Sequence, residues 1–174
     1  DTSNLSLDQL ISIVSQRAMQ EMHQASNFVP GVTKIPVSGK VFDEKEISNA
    51  IHASAEFWLT AGETTALFER ALSKIFGVRS ASMCNSGSSA NLIAVSALTS
   101  PSLGDRALKP GDEVITVAAG FPTTVAPIIQ NGLIPVFVDV DLETLSPNLE
   151  EIRSAISDKT KAMIFAHALG NPFD

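Results

Sequence analysis

The chain has 174 residues, with 12 Lys and Arg against 19 Asp and Glu for a net charge of -7, and 44% of its residues are apolar. That length suits one α/β domain, and the acidity argues against a broad basic face for a nucleic-acid backbone. The apolar content is too high for a disordered polymer and too often interrupted by charge for a bilayer span.

Leu7, Leu10, Ile11, Val14, Ala18 and Met22 recur at helical spacing, so an amphipathic helix opens the chain. Pro30, Gly31, Pro36 and Gly39 follow without a period and mark a connector over residues 27–39. Asp43 with Glu46 three residues on, ahead of Ile47 and Ile51, reads as a capping-box helix start. A further helix begins near Glu63, carries Leu67, Phe68, Ala71, Leu72, Ile75 and Phe76 on one face, and ends at Gly77. From Arg79 short apolar runs alternate with helices. Strands are predicted at 80–84, 113–117, 134–138 and 162–166, with helices through Leu92 and Leu98, over 123–130 and over 149–156. This alternation predicts a mostly parallel sheet with right-handed helical crossovers.

Three segments at predicted strand ends are candidates for chemistry. Asn85-Ser86-Gly87-Ser88-Ser89-Ala90 is a small-residue turn entering a helix, where exposed N–H groups, two hydroxyls and the positive helix end suit a phosphate. The alternative is a plain strand-to-helix turn with a serine cap. The glycine spacing and lysine of a Walker loop, and the dinucleotide fingerprint, are both missing. Phe121, in Ala118-Ala119-Gly120-Phe121-Pro122, is placed to stack on a planar ring, or else to fill the core. Asp139 and Asp141 are read as turn and cap residues in preference to a metal pair, and His167 as a structural histidine in preference to a catalytic one. His23 and His52 lie on helices without a partner signal. The single cysteine, Cys84, supports neither a disulfide framework nor a cysteine-built metal site here, and no basic neighbour activates it. No metal ligands are assigned.

The chain starts at Asp1 without a signal-peptide pattern, so a cytoplasmic location is expected. It stops at Asn171-Pro172-Phe173-Asp174, just after a run that reads as a buried strand and needs further cover, so a portion of a longer polypeptide is expected.

Phe57-Trp58-Leu59-Thr60-Ala61-Gly62, the Asn85 to Ala90 turn, Pro110-Gly111-Asp112-Glu113-Val114, Pro135 to Asp141 and His167-Ala168-Leu169-Gly170-Asn171-Pro172 occur in one order. In that order they resemble the vitamin B6-dependent sugar aminotransferases and dehydrases that act on nucleotide-linked ketosugars. The resemblance implies the α/β fold of aspartate aminotransferase (PLP-dependent transferase, fold type I). Residues 1–30 would form a helix and connector and residues 31–174 the N-terminal part of the large domain. The rest of that domain and the C-terminal small domain would lie outside the chain. The connector from Leu98 to Asp112, with the 86–92 and 118–124 segments, is most similar to the branch that works as 3-dehydrases on CDP-4-keto-6-deoxyglucose in 3,6-dideoxyhexose and lipopolysaccharide O-antigen biosynthesis.

On matching positions, the resemblance implies that Gly87, Ser88 and Ser89 hold the cofactor phosphate and that Phe121 stacks on the pyridine ring. Trp58, Leu59 and Thr60 would lie near the substrate sugar, and His167 and Gly170 would be mainly structural. The cofactor would be pyridoxamine or pyridoxal 5'-phosphate, with a 2Fe–2S cluster elsewhere in the full-length protein. Partners would be the nucleotide-sugar substrate, an NADH-dependent iron–sulfur flavoprotein reductase and a second copy of the chain, with neither nucleic acid nor membrane. The catalytic residues, the pyridinium-binding Asp, the cofactor lysine or the histidine that replaces it, and the cluster cysteines, would follow Asp174. Lys159 and Lys161 do not sit in the family's S-x-x-K context. A lysine-dependent nucleotide-sugar aminotransferase and a non-catalytic regulator of the same fold are the alternatives.

Overall fold

The computed structural model describes residues 3–23, 27–36 and 38–174, which divide between two compact units, Asp1–Met83 and Cys84–Asp174. Val37 of the predicted connector lies outside the described residues.

The first unit is helical. In α1 (Leu7–Met22) Ser6 and Gln9 form a capping box: Ser6 Oγ accepts from the Gln9 N–H at 3.3 Å while Gln9 Oε1 accepts from the Ser6 N–H at 2.8 Å. The box predicted at Asp43 and Glu46 likewise forms at the start of α2 (Glu44–Ala55), with the Asp43 N–H donating to Glu46 Oε2 at 2.7 Å. These two helices pack on each other and bury Ile11 and Ser15 of α1. The third helix, α3 (Glu63–Phe76), ends at Gly77 in the left-handed conformation, φ 61°, as its sequence predicts. The α3 stripe of Leu67, Phe68, Ile75 and Phe76 is exposed.

The second unit runs α4 (Gly87–Leu98), β1 (Glu113–Val117), α5 (Pro122–Gln130), β2 (Ile134–Val138), α6 (Leu149–Ala155) and β3 (Thr160–Met163). The strands form a parallel sheet in the order β2-β1-β3. Because successive side chains of a strand point to opposite faces, β1 contributes to two cores. Val114 joins Val95 of α4, Leu108 of the connector, Ile128 of α5 and Leu133 of the turn before β2. Ile115 and Val117 join Val138, with Ile152 and Ala155 of α6 and Phe165 packed against them. The connector between α4 and β1 holds a 3-10 turn, Pro101–Arg106, and returns at Leu108, whose N–H bonds the Leu98 carbonyl at 2.8 Å.

Two strand predictions need correction. Residues 80–84 form no strand: an apolar run becomes one only with a ladder partner, and none pairs with it among the described residues. The last strand is Thr160–Met163, earlier than the predicted 162–166. An irregularity between Glu113 and Val114 lets β3 pair from Thr160, and the chain turns off after the Ile164 N–H has bonded the Ile115 carbonyl at 3.0 Å.

Thr116 lies fully buried in β1, and its hydroxyl has no hydrogen-bond partner among the described residues. Thr116→Val should raise the stability of the protein by about 1 kcal/mol, because it removes an unpaired polar group while keeping the branched shape. Urea denaturation checks this; a lowered midpoint would mean that the hydroxyl is bonded.

Candidate functional site at the carboxyl edge of the sheet

In a parallel sheet with helical crossovers, ligands bind beyond the carboxyl ends of the strands. Here α4 and α5, which pack side by side on one face, both bear on that rule. Ser86 caps α4: its Oγ accepts from the Ser89 N–H at 3.1 Å and lies 3.2 Å from the Ser89 hydroxyl. The cap therefore satisfies Ser89, while the N–H groups of Gly87 and Ser88 have no partner among the described residues. Gly87 has an ordinary helical role and a Cβ added there would meet nothing within 4 Å. Neither backbone conformation nor packing within the chain requires a glycine at that position; what it leaves is open space before the first turn.

Phe121 is the N-cap of α5 and makes no side-chain cap. It is 71% exposed and belongs to neither core, so it is not the core plug that its local sequence also allowed. Ser88, Ser89 and Leu92 of α4 face Thr123, Ala126, Pro127 and Gln130 of α5 across a cleft of about 180 Å³. That is smaller than a complete small-molecule pocket of roughly 300–1,000 Å³, and suits one end of a ligand.

The first turns of these two helices are unusual for this chain. The helices α1, α2, α3 and α6 carry acidic residues there (Asp8; Glu44 and Glu46; Glu63; Glu150 and Glu151), whereas α4 and α5 carry none. The positive ends of α4 and α5 thus remain uncompensated, a state that favours an anion. Pro127 adds a positional device. A proline within a helix leaves the carbonyl four residues earlier without its donor, and here the orphan is the Thr123 carbonyl. Asn91 of α4 supplies the missing bond through Nδ2 at 3.4 Å. Sequence reasoning missed this link, although the proline inside a helical stretch was its signal.

Beyond β2 and β3 the polar residues hold turns. Asp139 Oδ1 accepts from the Val140 N–H at 2.8 Å, and Asp141 Oδ1 accepts from Asn148 Nδ2 at 2.9 Å. His167 Nδ1 accepts from the Phe173 N–H at 3.3 Å. Cys84 is half-buried, with Sγ 3.2 Å from the Ser86 carbonyl. Lys161 donates to the Asp158 carbonyl at 2.7 Å. Among the described residues no group of three His, Cys, Asp or Glu side chains could hold a metal ion, and no helix is long and apolar enough to cross a membrane.

The expected sugar-proximal residues lie in the first unit. Trp58 is 67% exposed, its indole N–H donates to the Ala61 carbonyl at 3.2 Å, and a Cβ on Gly62 would stand 2.7 Å from its Cδ1. Trp58 and Thr60, with Glu56, Gly62 and Thr64 among others, line a cleft of about 550 Å³; Leu59 is exposed and not part of the lining. In the first unit, His52 Nε2 stands 3.7 Å from Asp8 Oδ1, and His23 meets Phe42 edge-on at 4.8 Å.

Comparison with known proteins gives this geometry a context. The chain is 51% identical over 173 residues to the lipopolysaccharide biosynthesis protein RfbH of Salmonella typhimurium, covering 99% of this chain and 39% of that protein. It is 47% identical over 161 residues to a dTDP-4-dehydro-2,6-dideoxy-D-glucose 3-dehydratase of Saccharopolyspora spinosa, covering 92% of this chain and 35% of that one. Among solved structures, the E. coli GDP-4-keto-6-deoxy-D-mannose-3-dehydratase with bound hydrated PLP matches 75% of this chain and 33% of its own, with a TM-score of 0.66 at 37% identity. The chain therefore spans little more than a third of its relatives' length, and it has the fold of the N-terminal part of a PLP-dependent aminotransferase-like large domain, as its sequence predicts. Residues 41–174 match the family model itself, and the chain belongs to the DegT/DnrJ/EryC1/StrS aminotransferase family.

Proposed function

We propose that this chain is the cofactor-phosphate and ring-binding portion of a 3-dehydrase that removes the 3-hydroxyl of a CDP-linked 4-keto-6-deoxyhexose. The observation that carries the reading is the pair of acid-free helix starts, α4 and α5, beside one cleft at the ligand-binding edge of a parallel sheet. These residues fit a B6 cofactor. The open space before Gly87 admits phosphate oxygens to the unpaired N–H groups of Gly87 and Ser88, the hydroxyls of Ser88 and Ser89 add donors, and the exposed ring of Phe121 offers a flat apolar face. When bound, pyridoxamine phosphate supplies an amine for the ketone and an electron-poor ring as electron sink.

The roles of this chain's own residues are to bind and orient. A phosphate fixed at the start of α4 and a ring face fixed at the start of α5 are two points, and the Asn91 bond to Thr123 sets the spacing between the helices that carry them. Trp58 and Thr60 would form part of the sugar-binding surface, with Leu59 supporting the segment. The remaining parts of the reading concern the full-length protein. They are a general-base histidine in place of the family lysine, a 2Fe–2S cluster that passes two electrons singly from an NADH-dependent iron–sulfur flavoprotein reductase, a homodimer, and a place in cytoplasmic O-antigen sugar synthesis. The likeness to a lipopolysaccharide biosynthesis protein and to nucleotide-sugar 3-dehydratases supports the dehydrase over the aminotransferase.

Full-length protein loaded with pyridoxamine phosphate, given an electron donor and assayed with CDP- and dTDP-4-keto-6-deoxyglucose, should remove the 3-hydroxyl of the CDP sugar in preference. A 4-amino sugar as product would establish the aminotransferase instead, and absence of both cofactor retention and iron–sulfur absorption would favour a non-catalytic protein. Ser88→Asp places a carboxylate at the expected phosphate site; affinity for pyridoxal phosphate should fall about a hundredfold, the equivalent of roughly 3 kcal/mol of like-charge repulsion. Gly62→Ala should push the Trp58 indole out of place and shift its fluorescence, raising KM for the nucleotide sugar while cofactor affinity stays unchanged.

A further inference from the structure

His167 stands just beyond β3, in a turn that is held unusually. Leu169 and Gly170 follow with φ of 53° and 80°, two successive residues in the left-handed region, which leucine seldom adopts and which persists only where the surroundings impose it. The turn is anchored from several sides. Asn171 Nδ2 donates to the Thr144 carbonyl at 2.9 Å, the Phe173 ring lies against the imidazole with centroids 4.3 Å apart and a 31° tilt, and Phe165 meets Phe173 edge-on at 5.7 Å.

Within this frame the Phe173 N–H donates to His167 Nδ1 at 3.3 Å. An accepting Nδ1 carries no proton, so the neutral ring bears its proton on Nε2. The imidazole is exposed, and Nε2 has no partner among the described residues. Packing alone would be served by any flat ring; here the turn also selects a tautomer, and the donor so created points to no group of the chain's second unit. Its position is at the ligand edge. β3 is the neighbour of β1, the Ile164 N–H still bonds the Ile115 carbonyl, and β1 leads directly into the segment that ends at Phe121.

We infer that His167 is a ligand-contacting residue whose Nε2–H donates a hydrogen bond to an acceptor oxygen of the molecule bound at this edge. The inference rests on the cofactor-binding reading given above and goes beyond the structural role that the resemblance implies. The oxygen belongs either to the B6 cofactor or to the sugar, and the experiment separates the two.

In full-length protein, His167→Phe keeps a ring against Phe173 and removes the donor, whereas His167→Gln keeps an N–H donor. For each variant, pyridoxal phosphate affinity is measured by absorbance titration, CDP-4-keto-6-deoxyglucose affinity for the loaded protein by calorimetry, and the thermal midpoint alongside. His167→Phe should weaken one of the two affinities roughly 3- to 10-fold with the midpoint unchanged, and His167→Gln should recover part of the loss; the affinity that moves identifies the source of the oxygen. The inference is overturned if His167→Phe binds both like the wild type, if affinity falls only together with the midpoint, or if His167→Gln falls as far as His167→Phe. Should the wild type itself take up no pyridoxal phosphate, the cofactor reading fails and this inference with it; uptake by the wild type with no effect of His167→Phe overturns the inference alone.

Discussion

The second unit depends on the burial of one short strand from both sides. Four of the five residues of β1 are buried, and its alternation sends Val114 into one core and Ile115 and Val117 into the other. Each such side chain contributes about 1.5–3 kcal/mol on leaving water, and no other strand here is covered so completely. With β2 and β3 paired to it in parallel, the three carboxyl ends emerge along one edge. The segments that follow them, toward Phe121, Asp139 and His167, consequently all leave the sheet at that same edge.

At that edge the starts of α4 and α5 differ from the other helix starts in what is missing from them. Four helices place carboxylates in their first turns, where acids neutralise the positive end, and α4 and α5 do not. In a chain of net charge -7, these two helix starts are thus left without a carboxylate in their own first turns. On the reading proposed above, a phosphate would be held there by backbone N–H groups and hydroxyls without a lysine or arginine beside it.

Features that depend on neighbours in sequence were legible. The α1 periodicity, the Asp43 and Glu46 box, the Gly77 cap, and strands Glu113–Val117 and Ile134–Val138 all follow from spacing or single-residue conformation. Residues 80–84 have the apolar composition of a strand, but composition does not name a partner, and the ladder decides. The end of β3 moved because an irregularity in its pairing with β1 is a property of two segments, invisible in either alone. At the candidate site, the capped helix start at Ser86 and Gly87 was legible from its small residues and its position before a helix. The exposure of Phe121 was not, since a lone aromatic reads equally as filler or as a binding face. Of Trp58, Leu59 and Thr60, the period of the segment could not tell that only the first and third face the cleft.

The proline in α5 carries an implication for how such a site changes over time. Proline and asparagine form a complementary pair across two helices: one creates an unmet acceptor and the other meets it. Replacing Pro127 with a residue that has an N–H would restore the helix's own bond and make Asn91 redundant; replacing Asn91 alone would leave the carbonyl stranded. The first order of events is tolerable and the second is not. Drift at this pair is therefore directional, and a lineage that loses the link should lose the proline before the asparagine.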